Sequence, residues 1–144
     1  MPKSKFNYVI YIATTAETLW KALLDGEFTR QYWGHENVSD WQQDSDWEHR
    51  RVGAPRAVVL GVVVAASAPS RLVITWADPR DRGRNACQSR VSFDIETFEG
   101  MVRVTVKHED LGAGSKMERK VSHAWARALP SLKSLYKSGH PPTA

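Results

Sequence analysis

The sequence predicts an α+β domain in which an antiparallel sheet of about six to seven strands curls around a long C-terminal helix. Three features carry that prediction. Val91, Phe93, Ile95 and Thr97 alternate with Ser92, Asp94 and Glu96; after Glu99-Gly100 the alternation returns through Val102, Val104, Val106 and His108. This is the period-two pattern of a hairpin with one apolar and one polar face. From Lys116 to about Lys137 the period becomes helical, with Met117, Val121, Ala124, Trp125, Ala128, Leu132, Leu135 and Tyr136 on one stripe. Phe6–Ile12, rich in aromatic and β-branched residues, reads as a strand ahead of the first helix.

The remaining elements follow in order. Thr14-Thr-Ala-Glu17 carries a capping-box pattern, and Ala16, Leu19, Trp20 and Leu23 continue at helical spacing to Asp25-Gly26. Glu27–Trp33 is expected as a second short helix stopped by Gly34. His35–Trp41 and Trp47–Arg51 are expected as short strands joined by Gln42–Asp46, with Val52-Gly-Ala-Pro55 as a turn. Ala57–Ala66, dense in β-branched residues, is expected as a strand buried on both sides. Ala68-Pro69-Ser70 turns the chain into a strand at Arg71–Trp76, and Asp78–Asn85 reads as a polar, Arg-rich loop. Leu111–Gly114 reads as a break, with Ser115 able to cap the last helix. Pro130 lies inside that helix, where it removes an N–H and crowds the Ala126 carbonyl at a cost of about 3 kcal/mol. It falls opposite the apolar stripe, so a kink around the core is expected there. Ser138-Gly139 ends the helix, and residues 139–144 are expected as a flexible tail.

Composition bounds the function. A chain of 144 residues suits one domain, 1–144, and 42% hydrophobic with 25% charged residues excludes a disordered chain. The net charge of +4 is spread over Arg50–Arg51, Arg80–Arg82–Arg84 and Lys116–Arg119–Lys120, with no basic stripe or recognisable module, so no nucleic-acid partner is expected. Cys87 is the only cysteine, which rules out an internal disulfide and the paired-cysteine zinc motifs; a lone thiol fits a reducing compartment. The N-terminal apolar run is too short and polar for a signal peptide, and no stretch reaches membrane-spanning length. A cytoplasmic protein without a membrane span is the expectation. HxH, HExxH, GxSxG and glycine-rich phosphate motifs are absent, so no metal, cofactor or catalytic residue is assigned.

The element order resembles that of the START-like (SRPBCC) superfamily, and four segments resemble its branch named for the activator of the ninety-kilodalton heat-shock protein's ATPase. These are Glu17-Thr-Leu-Trp-Lys-Ala-Leu23; Gly61 through Ala68-Pro-Ser-Arg-Leu72 to Thr75-Trp76; Ser89-Arg-Val-Ser-Phe93 leading to Val104-Thr-Val-Lys-His108; and Ala124-Trp125 through Leu129 and Leu132 to Tyr136-Lys-Ser-Gly139. The resemblance implies a helix-grip fold with a cavity between sheet and C-terminal helix. It implies no single reaction, because the superfamily spans carriers, receptors, cyclases and many uncharacterised bacterial proteins.

Six tryptophans are many for this length. Trp33, Trp41 and Trp47 cluster in the helix-to-sheet region, Trp76 ends a strand, and Trp125 lies on the apolar stripe of the last helix. Aromatic walls with an N–H handle suit a ligand pocket; the plainer alternative is core filling, which fits Trp20 best. His108 takes the inward phase of its strand and could orient a ligand or exchange a proton, or be bonded within the strand end. His49 shares the phase of Trp47 and could face His108 across a cavity. The leading expectation is binding or carriage of a small, largely apolar or aromatic molecule by Trp33, Trp41, Trp47, His49, Trp76, His108 and Trp125. The alternatives are a cyclase, hydratase or hydrolase using the same cavity, and a chaperone-associated regulator. An enzyme is the less favoured reading, and a homodimer and a chaperone are further partner readings.

Overall fold

The computed structural model describes residues 3–32, 35–51, 57–79, 89–112 and 116–137. Strand β1 (Lys3–Ile12) leads into helices α1 (Ala16–Leu24) and α2 (Gly26–Tyr32). Strands β2 (His35–Val38), β3 (Asp46–Arg51), β4 (Ala57–Ser67), β5 (Arg71–Trp76), β6 (Ser89–Phe98) and β7 (Met101–Gly112) follow, and helix α3 (Lys116–Lys137) closes the chain. The strands form one seven-stranded sheet in the order β1-β7-β6-β5-β4-β3-β2. Every pairing is antiparallel. The sheet is curved around α3, as the sequence predicts.

The β6–β7 hairpin turns at Glu99-Gly100, where Gly100 takes φ +73°, open to glycine without a Cβ penalty. Its register pairs Phe93 with Val106 and Val91 with His108, so one face carries Val91, Phe93, Ile95, Val102, Val104, Val106 and His108 into the core. The other face carries ion pairs such as Arg71–Asp94 and Arg103–Glu96, both at 2.7 Å. Helix α3 lays Val121, Trp125, Ala128, Leu129 and Leu132 onto this sheet, while Pro130 is exposed on the far side. The helix continues through Pro130, and the Ser134 hydroxyl donates to the Pro130 carbonyl at 3.0 Å.

The structure departs from four expectations. The cap of α1 is Thr15, whose hydroxyl accepts from the Thr18 N–H at 3.2 Å; Thr14 instead bonds its N–H back to the Ile12 carbonyl. Strand β2 stops at Val38 and does not reach Trp41, because Trp41 takes φ +58°, outside the extended region. Strand β4 is buried on one face only: Val59 and Val63 are buried, while Val58 and Val62 are each 37% exposed. Its outward face has no covering layer among the described residues, so the β-branched run reflects strand propensity more than double burial. Finally, β7 runs to Gly112, since Leu111 and Gly112 pair with Ser4 and Lys3 of β1. The predicted turn at 52–55, most of the loop at 78–85, Trp33, Cys87 and the tail lie outside the described residues.

Candidate functional site

Four indoles form a continuous row through the interior. Trp41 stands on the β2–β3 loop, Trp47 on β3, Trp76 at the end of β5 and Trp125 in α3. Their ring centroids are 6.3 Å apart from Trp41 to Trp47, 5.4 Å from Trp47 to Trp76 and 5.8 Å from Trp76 to Trp125. His49 rests against Trp47 and Trp76, and His108 against Trp76 and Trp125. The structure thus brings together Trp41, Trp47, His49, Trp76, His108 and Trp125 of the predicted set.

Trp47 reaches this position by crossing its neighbouring strand. It pairs with Gly61 of β4, and its indole N–H donates across that glycine to the Thr75 carbonyl of β5 at 2.7 Å. A Cβ on Gly61 would lie 2.6 Å from the indole nitrogen and collide with the Thr75 carbonyl, so only glycine fits beneath the ring. The Thr75 carbonyl is available because the Val62 N–H, opposite it in a register that runs from Leu60–Ala77 to Val63–Ile74, goes instead to the Thr75 hydroxyl at 2.8 Å.

His108 is fully buried and its hydrogen bonds determine its tautomer. The Trp125 indole N–H donates to Nδ1 at 3.1 Å, so Nδ1 is the unprotonated nitrogen. Nε2 therefore carries the proton and donates to the Ser89 hydroxyl at 2.6 Å, and Ser89 donates onward to the Trp76 carbonyl at 3.1 Å. Burial pushes the imidazole pKa from 6.5 down to about 3. With both nitrogens engaged, His108 ties α3 to β6 and β5. A His49–His108 pair facing across an open cavity is not what the geometry shows, since each ring packs against Trp76.

His49 is also buried but belongs to a different network. Its Nδ1 lies 2.6 Å from the Asn37 side-chain oxygen, and the Asn37 amide nitrogen donates to the Leu23 carbonyl at 3.0 Å. The amide oxygen can only accept, so Nδ1 of His49 is the protonated nitrogen. Asn37 is held in turn by its backbone N–H, which donates to the buried Thr29 hydroxyl at 3.1 Å.

The space expected between sheet and α3 is largely filled by these rings. Among the described residues, a cleft of about 10 Å³ is bordered by residues including Leu23, Asn37, Trp41, Trp47, His49 and Trp125, about the room of one water molecule. His108 is not on that wall. Immediately outside lies an open groove of about 810 Å³, between α1, the start of α2, the β2–β3 loop and the end of β4. Leu24, Asn37 and Trp41 border both spaces. Lys21, Asp25 and Asp40 give the groove its charge, and hydrogen bonds from the Ser45 side chain and the Gln42 N–H hold the Asp40 carboxyl below its usual range. Asn37, Gly61 and Ser89 were not singled out from sequence as site residues, because a lone polar residue or glycine in a strand carries no local signal of the ring it will support. The Trp47–Gly61 register would have been the only clue.

A curved antiparallel sheet gripping a terminal helix around an aromatic interior defines a helix-grip domain of the START-like kind. Residues 13–137 match the family model described as Activator of Hsp90 ATPase homolog 1-like protein, and the chain belongs to that family. Solved structures agree on the fold. The Aha1 dimer from Colwellia psychrerythraea superposes with a TM-score of 0.73 at 19% identity, over 92% of this chain and 96% of that one. An HSP90 activator from Plasmodium falciparum gives 0.74 at 17%, over 91% and 94%. CalU16 from Micromonospora echinospora gives 0.69 at 17%, over 89% and 73%. No curated protein matches the chain. No helix among the described residues is long and apolar enough to cross a membrane.

Proposed function

We propose that this domain binds a small, largely apolar molecule in the groove beside α1, with the buried row of indoles forming the inner end of the site. The observation that carries this reading is the shared wall. An open groove of about 810 Å³ meets the aromatic interior across Leu24, Asn37 and Trp41. Its size falls within the range of small-molecule sites, and its wall sets apolar side chains such as Trp20, Leu24 and Trp41 beside polar ones such as Lys21, Asp40 and Gln42. Both His108 nitrogens serve the α3–β6 connection, so His108 supplies no proton-transfer group to this site. Native mass spectrometry of freshly purified protein tests the reading: a retained molecule of a few hundred daltons supports it, and apo protein alone from several expression hosts counts against it.

The likeness to an HSP90 activator supports a second reading, that of a chaperone-associated regulator. Binding to the chaperone in a pull-down would favour it; no binding at tens of micromolar, the weak end of specific affinity, would argue against it.

A further inference from the structure

The β2–β3 loop holds its backbone firmly while carrying a strained tryptophan. The Ser39 hydroxyl donates to the Asp46 carbonyl at 2.7 Å and accepts from the Trp41 N–H at 3.0 Å. The Asp44 N–H donates to the Val63 carbonyl at 2.7 Å, and the Val63 N–H to the Ser45 carbonyl at 2.8 Å. Within this frame Trp41 takes φ +58°, a region that costs a bulky residue on the order of 1–3 kcal/mol. Such strain persists only where the surroundings over-determine it, and here it aims one indole at another. Trp41 stacks on Trp47 with an interplanar angle of 29°. It is only half-buried, unlike Trp47, Trp76 and Trp125, and it borders both the groove and the inner cleft.

We infer that the Trp41 side chain occupies the seat of the natural ligand, and that this ligand is a planar aromatic molecule of one or two fused rings. The inference rests on the ligand-binding reading above and names the class of molecule for it. A flat ring that replaces the indole gains the same stack on Trp47. The displaced indole has the groove to enter, and because the loop backbone is pinned at both ends, the change needs only a rotation of one side chain. Trp41 is then an intramolecular competitor. The wild-type protein binds with an affinity reduced by the fraction of molecules whose seat is open.

The test uses 2-naphthol as probe, with calorimetric titration of the wild-type protein and of Trp41→Ala. A second measurement follows wild-type protein labelled with 5-fluorotryptophan, its Trp41 line assigned by Trp41→Phe. For a seat open in about 1–10% of molecules, Trp41→Ala binds about ten- to a hundredfold more tightly than wild type. In the wild type the Trp41 fluorine line moves on binding and its solvent isotope shift grows. If both proteins bind equally and the Trp41 line stays in place, the probe sits in the groove alone: the ligand-binding reading stands and this inference falls. Binding to Trp41→Ala without any binding to wild type makes Trp41 a fixed wall and overturns it. Binding to neither removes the aromatic seat, and the retained molecule sought by mass spectrometry then judges the broader reading separately.

Discussion

His108 and Gly61 show what single residues contribute here. The imidazole is neutral in the folded protein because burial lowers its pKa to about 3, whereas in the unfolded chain it titrates near 6.5. Between those values the unfolded state binds an extra proton. This contribution to stability is therefore complete above about pH 6.5 and is lost as pH falls toward about 3, at roughly 1.4 kcal/mol per pH unit. His108→Gln should be less stable than wild type at pH 7.5 but should lose stability more slowly between pH 6.5 and 4.5. Urea midpoints across that range check this, and parallel curves for the two proteins would refute it. At Gly61 the added methyl group of alanine meets the Trp47 ring and the Thr75 carbonyl. Gly61→Ala should cost about 2–3 kcal/mol in chemical denaturation. An unchanged midpoint would mean that Trp47 need not cross the strand.

Elements were legible in proportion to their periodicity. The β6–β7 hairpin and α3 were evident because each repeats one period over many residues, and side-chain direction follows from the period alone. The β2–β3 region was less so. Its strands are short, and the end of β2 is decided by the left-handed Trp41, a conformation that no residue pattern announces in a tryptophan. Capping was misplaced by one residue, since Thr14 and Thr15 are chemically equal and only the backbone bond of Thr14 to Ile12 separates them. Thr15→Ala should therefore lower stability by about 1 kcal/mol and Thr14→Ala by much less, as read from thermal melts. In α3, Pro130 is exposed and forfeits one backbone bond to Ala126. Pro130→Ala should raise the melting temperature, with a gain below about 3 kcal/mol; a drop would show that α3 needs the proline to follow the sheet.

For the whole molecule, strand content and the gripping helix could be read from sequence because burial patterns report them. The state of the interior could not. Whether aromatic rings line a space or fill it depends on how they meet, and that is fixed by long-range contacts: Trp47 over Gly61 to Thr75, and Trp125 to His108. The same contacts set the distribution of stability. Strands β6 and β7 carry the fully buried Val91, Val102, Val104 and Val106, while β2 is a four-residue edge strand. Amide hydrogen exchange should be slowest in β6 and β7 and fastest in β2 and the loop at 39–45. Comparable protection in β2 would place the cooperative core elsewhere.

The row of indoles from Trp41 to Trp125 also has an optical consequence. Rings 5.4–6.3 Å apart are close enough for their transition dipoles to couple, so the chromophores absorb and emit as a group. Near-ultraviolet circular dichroism should carry a couplet from this array that solitary tryptophans do not produce, and excitation should migrate along it before emission. Anything that turns the outermost ring changes the signal of the whole row. The domain thus carries its own spectroscopic reporter, with one end facing the groove and the other anchored on the C-terminal helix.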